Sequence, residues 1–165
     1  MIDIRPFTVA NAQIVSSLAR QVFEEHVAPD FEPEGIAEMH AFLAPEEIAR
    51  RARANTTLMA WDGSQAMGIL QMRDSGHISI LFVETSHMGQ GIATAMIDLI
   101  ETDGRAAGRD KITVNSTLNA QGYYEHLGFV PTAGPQRLHG FSFIPMEKRL
   151  MERSEDTLTK GLTKC

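Results

Sequence analysis

The stretch "ISILFVETSHMGQGIATAM", residues 78–96, runs an apolar segment into a short polar loop, two glycines one residue apart, and a tail of small and apolar side chains. The apolar run predicts a strand, and the periodicity after Gly91 predicts a helix over 91–107. Bare backbone N–H groups at a helix start, helped by the helix dipole, make an anion site. Glycine lets phosphate oxygens come close because no Cβ stands in the way. An isolated pair of glycines is equally the mark of a plain tight turn, so the identity of any anion has to come from the residues around them.

Two phosphate loops fail on those residues. A nucleoside-triphosphate loop places lysine and then serine or threonine after its last glycine, whereas Ile92 and Ala93 follow Gly91. A dinucleotide fingerprint needs a third glycine where Thr94 stands and an acid at the end of the next strand, which ends here in Asn115.

The flanks give the fold class. "IDIRPFT" alternates as a first strand. Ile14, Val15, Leu18, Ala19 and Val22 have helical spacing within 10–27, and "DFEPEGIAEMHAFL" and "APEEIARRARAN" add two shorter helices. "TTLMAW", "AMGILQMR" and "HISILFV" are joined by the turn signals "DGSQ" and "DSG", which predicts an antiparallel meander. A strand over 111–115, a short helix "NAQGYYEHL" capped by Gly128, and strands in "FVPT" and "FSFIPMEK" complete the order. Strands in runs rather than in strict alternation with helices predict an α+β fold with a mixed, mostly antiparallel sheet.

The chain has 165 residues and a formal net charge of -6. That length suits one domain over 1–150 with a polar tail over 151–165. The acidity argues against a nucleic-acid surface. The start lacks a signal-peptide pattern and no run approaches a membrane span. The single cysteine, Cys165, cannot form an internal disulfide, so a cytoplasmic protein is expected.

The run "LFVETSHMGQGIATAMID" resembles the acyl-CoA signature of the GNAT superfamily of N-acetyltransferases. There arginine or glutamine, two variable residues, glycine, one variable residue, then glycine or alanine open a helix. Met88, Gly89, Gln90, Gly91, Ile92 and Ala93 lie on that pattern, with Met88 departing from the usual first residue. "STLNAQGYYEHLGF", residues 116–129, resembles the family's later helix, with Thr117, Ala120, Tyr123, Tyr124, Glu125, Leu127, Gly128 and Phe129 in register. Two motifs in the expected order carry more weight than either alone.

The resemblance implies a sheet whose fourth and fifth strands (77–83 and 111–115) splay apart. Main-chain groups of Leu81, Phe82 and Val83 would then bind pantetheine as a missing strand would, with the N–H of Phe82 or Val83 near the thioester carbonyl. The loop Met88, Gly89, Gln90, Gly91, Ile92, Ala93, Thr94 would hold the diphosphate, and Asn119 would contact the pantetheine arm or cap its helix. Tyr124 would protonate the leaving thiolate, although a tyrosine packed at a helix end looks the same in sequence. His77 stands where some relatives carry a glutamate base; a strand-end histidine bound to turn backbone is the alternative. Arg105 and Arg109 would reach the 3′-phosphate or simply meet solvent.

The expected activity is acetyl transfer from acetyl-CoA, with no metal, to a primary amine. The acceptor is a small molecule; the alternatives are a protein amine or a silent acyl-CoA-binding module. A monomer or homodimer is expected. Glu24, Glu25, Asp30, Glu32, Glu34 and Glu38 make the region of the first helices acidic, which suits either a cationic acceptor or plain solvation.

Overall fold

The computed structural model describes residues 2–150; the expectation of a polar tail over 151–165, Cys165 included, lies outside them. Strand β1 (Asp3–Pro6) leads into helices α1 (Ala12–His26), α2 (Pro33–Phe42) and α3 (Pro45–Ala52). The meander β2 (Thr56–Asp62), β3 (Gln65–Met72) and β4 (His77–Val83) comes next, then α4 (Ile92–Ala106), β5 (Lys111–Thr117) and α5 (Gln121–His126). Three strands close the described chain: β6 (Val130–Pro131), β7 (Gln136–Leu138) and β8 (Phe141–Arg149). The sheet order is β1-β2-β3-β4-β5-β8-β6, with β7 also on β8, and every pair is antiparallel except β4–β5.

Helices cover both faces. Val15, Leu18, Ala19 and Val22 fall on one side of α1 because three- and four-residue steps return to the same face, and they pack with Phe23, Ile48, Ile69 and Ile80. Ser16 is buried beside them and is satisfied by donating to the Leu43 carbonyl at 2.6 Å. On the other face Ile92, Ala93, Met96, Ile97 and Ile100 of α4 pack with Leu81, Val83, Ile112 and Val114. A fully buried aromatic such as Phe23 is worth about 3–5 kcal/mol against alanine. Gly68 of β3 permits the approach of α4, since a Cβ there would sit 3.1 Å from the Met96 methyl and 3.2 Å from Ile92 Cγ2.

Besides a register shift between β2 and β3 at Ala60/Trp61, two local features escape the sequence pattern. Met72 faces Ile78 but Gln71 faces Ile80, so Ser79 is an extra residue in β4, a β-bulge. Ile78 therefore joins the α4-side core while Ile80, two residues on, joins the α1-side core. The second is β7, which the sequence did not disclose: all three of its residues are exposed, so no alternation marks it. Pairing of residues 136–138 with β8 alone makes it a strand.

Candidate active site

β4 and β5 are in parallel register only at His77↔Thr113 and Ile78↔Val114. Among the described residues β4 has no partner on that side from Ser79 onward, whereas β5 stays fully paired with β8. Facing strands that part leave main-chain donors and acceptors available to a ligand.

Alternation decides which groups those are. Glu84 donates its N–H to the Met67 carbonyl at 2.8 Å, so its main chain faces β3. Ile80 and Phe82, paired opposite Gln71 and Ile69, share that direction. Leu81 and Val83 turn their N–H and C=O groups toward the opening. The expectation that Phe82 offers a free main-chain group therefore needs correction, because the Ser79 bulge resets the alternation. Leu81 and Val83 remain in position to offer one.

The open end of the gap meets the glycine loop. The Glu84 carboxylate accepts from the Ser86 N–H at 3.1 Å and from His87 Nδ1 at 2.7 Å, building a 3-10 turn over Thr85–His87. The hydrogen bonds from Ser86 and then His87 hold this carboxyl below its usual range. Met88, Gly89, Gln90 and Gly91 are exposed. Gly89 and Gly91 adopt φ of 78° and 80°, a left-handed backbone that favours glycine. Gly91 is the N-cap of α4, and no side chain caps the helix there. The first-turn N–H groups of Ile92, Ala93 and Thr94 thus lack a helical carbonyl and a capping oxygen. A Cβ built on Gly89 or Gly91 meets nothing within 4 Å, so the space in front of the loop is open. These residues suit a diphosphate held by main-chain donors. Thr94 is exposed, while the Ile92 and Ala93 side chains anchor the loop in the core.

Tyr124 lies in the same core cluster as Leu81, Val83, Ile92 and Ala93, 8% exposed, with its ring edge-on to Phe129 at 5.6 Å. Among the described residues no side chain or carbonyl hydrogen-bonds its hydroxyl. Burial, and secondarily Tyr123, push its phenol upward, so it keeps its proton. Tyr123 is largely exposed and stacks edge-on against Tyr124 at 5.5 Å.

His77 sits where the strands part, half-buried, with Nδ1 2.8 Å from the Thr113 hydroxyl. Since Ile78, Ile112 and Val114 face α4, His77 and Thr113 stand on the opposite, α1 side. Burial, then the Arg73 charge, lower its pKa below the usual imidazole value, which favours the neutral ring. His77 and Tyr124 thus approach the opening from opposite faces of the sheet.

Asn119 is engaged elsewhere. Its amide donates to the Asp30 carboxylate in the α1–α2 connection, and α5 is capped by Ala120 without a side-chain bond. Arg105 donates to the Leu150 carbonyl at 3.2 Å and Arg109 to the Asp74 carbonyl at 2.9 Å, so both are tied into the scaffold. Four of the acids are matched by partners within the chain: Glu24 by His40, Glu25 by Thr85, Glu32 by Arg137 and Glu38 by His139. Sequence reasoning missed these links, among them the Thr85–Glu25–His26 cluster that ties the α1 terminus to the loop after β4. Partners that distant leave no spacing signal.

The family model described as the acetyltransferase (GNAT) domain matches residues 27–150. The chain belongs to the GNAT acetyltransferase family. The GNAT fold recurs in a GCN5-related N-acetyltransferase from Rhodopseudomonas palustris, which is 23% identical with a TM-score of 0.78 over 90% of this chain and 95% of that one. The PaiA N-acetyltransferase from Thermoplasma acidophilum, in complex with coenzyme A, is 16% identical with a TM-score of 0.76 over 90% and 99%. An aminoglycoside 6'-acetyltransferase type Ii is 18% identical with a TM-score of 0.66 over 92% and 99%. At such identities the likeness to these three is one of fold. No curated protein sequence matches the GNAT chain. No described helix is long and apolar enough to cross a membrane.

Proposed function

We propose that this GNAT protein transfers the acetyl group of acetyl-CoA to a primary amine of a small molecule, by direct attack in a ternary complex. The observation that carries this is the parting of β4 from β5 beside an uncapped α4 N-terminus. Bound acetyl-CoA supplies the activated acyl thioester; the chain's own residues do the rest. N–H groups of the glycine loop and of the first turn of α4 take the diphosphate, where the helix dipole favours negative charge. Leu81 and Val83 offer main-chain groups to the pantetheine arm, and one of their N–H groups steadies the carbonyl oxygen.

Amine attack requires a free lone pair. His77, held neutral by burial and by Arg73, accepts the ammonium proton from the α1 side. Tyr124, held protonated by burial, gives its proton to the departing sulfur from the α4 side. Opposite faces for base and acid suit an amine and a thiolate on opposite sides of the acyl carbon. A covalent acyl-cysteine route is disfavoured because Cys165 is the chain's one thiol.

The test is coenzyme A release against a mixed panel of small amines and peptides, with Tyr124→Phe as control. Small amines should turn over, and the variant should lose about 10²-fold or more in kcat with acetyl-CoA affinity held within twofold. Acetylated peptides alone would move the acceptor class to proteins. Tight acetyl-CoA binding with no product anywhere would mark a silent binding module. Unchanged turnover in Tyr124→Phe would remove the proposed acid.

A further inference from the structure

Ser79 combines three features. It is the extra residue of the β4 bulge, it directly follows the last β4–β5 pair, and its hydroxyl oxygen is buried without a hydrogen-bond partner. A buried hydroxyl left unpaired costs stability, and native proteins rarely keep one without a use. Bulges next to active sites commonly re-aim a side chain. An apolar residue would fill the same small space without that cost.

We propose that the Ser79 hydroxyl donates a hydrogen bond to the acyl carbonyl oxygen of the bound thioester, at the closed end of the gap. The assignment rests on the proposed binding of acetyl-CoA. The strands resume pairing at Ile78↔Val114, so a ligand threading from the glycine loop past Val83 and Leu81 reaches Ser79 last. The last part of an acyl-CoA to enter along that path is its acyl group. One donor there distinguishes acyl-CoA from the free coenzyme A product, which has no carbonyl at that place. Ser79 is thus a binding and positioning residue for the transferred group, separate from the main-chain donors of Leu81 and Val83.

The test is calorimetric titration of wild type, Ser79→Ala and Ser79→Cys with coenzyme A and with acetyl-CoA, alongside thermal melts of each ligand-free protein. In wild type acetyl-CoA should bind about five- to tenfold tighter than coenzyme A, as one net hydrogen bond allows. Ser79→Ala should cut that preference by about threefold or more, leaving what the main-chain donor supplies, while coenzyme A affinity stays within twofold; Ser79→Cys, with its weak donor, should fall between. Ligand-free Ser79→Ala should melt at the wild-type temperature or above it, because the unpaired hydroxyl is gone. An unchanged acetyl-CoA preference in Ser79→Ala overturns the inference, as does a clear drop in its melting temperature, which would show a structural bond to the hydroxyl. Failure of wild type to bind either ligand would overturn the acetyl-CoA reading as well and is distinguished by the wild-type titration alone.

Discussion

The two banks of the proposed site are built from different material. On the cofactor side stand the main chain of β4, the glycine loop and the first turn of α4, all contiguous between residues 77 and 94. The α1–α2 connection and α2, where we propose that the amine is received, are held by side chains paired across long stretches of sequence: Asp30 with Asn119, Glu32 with Arg137, Glu38 with His139. Phe31 stacks on Phe141 at 4.8 Å, and Glu32 donates its N–H to the Gly140 carbonyl at 3.0 Å. A backbone site demands glycines at fixed places and tolerates changes such as Met88. A side-chain site demands nothing that local spacing can show, and it is free to vary with the substrate.

Substitutions on each bank should separate cleanly. Gly91→Val should have the largest effect, because a β-branched residue at φ 80° is strained and shields the uncapped N–H groups. Calorimetry should show coenzyme A affinity reduced by roughly 10²-fold. Affinity within twofold of wild type would dissolve the main-chain account of that bank.

His77→Gln should come next, read as a pH profile. A base works only when neutral, so kcat/KM falls as pH drops through its pKa, which burial and Arg73 hold below 6.5. The wild-type acidic limb should therefore lie below pH 6.5 and vanish in His77→Gln, with coenzyme A affinity unchanged. Arg73→Ala should move the limb toward higher pH. A limb that survives in His77→Gln assigns the proton to another group. Tyr124, held above its reference value, should contribute no basic limb in the neutral range.

Asp30→Ala should be mildest. It releases Asn119 and loosens the connection, so KM for the amine should rise about three- to fivefold, as the loss of one exposed charged hydrogen bond allows, with coenzyme A affinity unmoved. An equal loss of coenzyme A affinity would show that the banks are not separable.

Legibility in sequence divides along the same line. The meander was visible because "DGSQ" and "DSG" punctuate alternating runs, and α4 because Ile92, Met96, Ile97 and Ile100 repeat at helical steps. The parting of β4 from β5 entered only through the motif resemblance. The bulge at Ser79, where the parting begins, has no signature, since "HISILFV" reads as an uninterrupted strand. The resemblance marks Leu81, Phe82 and Val83 as one stretch and carries no alternation, so it could not show that Phe82 turns its main chain toward β3. Strand β7 and the partners of Asn119 and the acidic residues depend on chain segments brought together by folding.

The extra residue in β4 also sets where this chain can change length. Residues 80–83 keep their sides of the sheet because the bulge takes Ser79 out of the alternation. Deleting Ser79 would restore plain alternation and leave Ile78 toward α4 and Ile80 toward α1, whereas losing one residue from 80–83 would turn those beyond it to the wrong face. Insertions and deletions that survive in descendants of this sequence should therefore collect in the turns around Gly63 and Gly134, whose exposed tips meet no neighbours, or remove Ser79 itself, and spare the segment between Ile80 and Gly91.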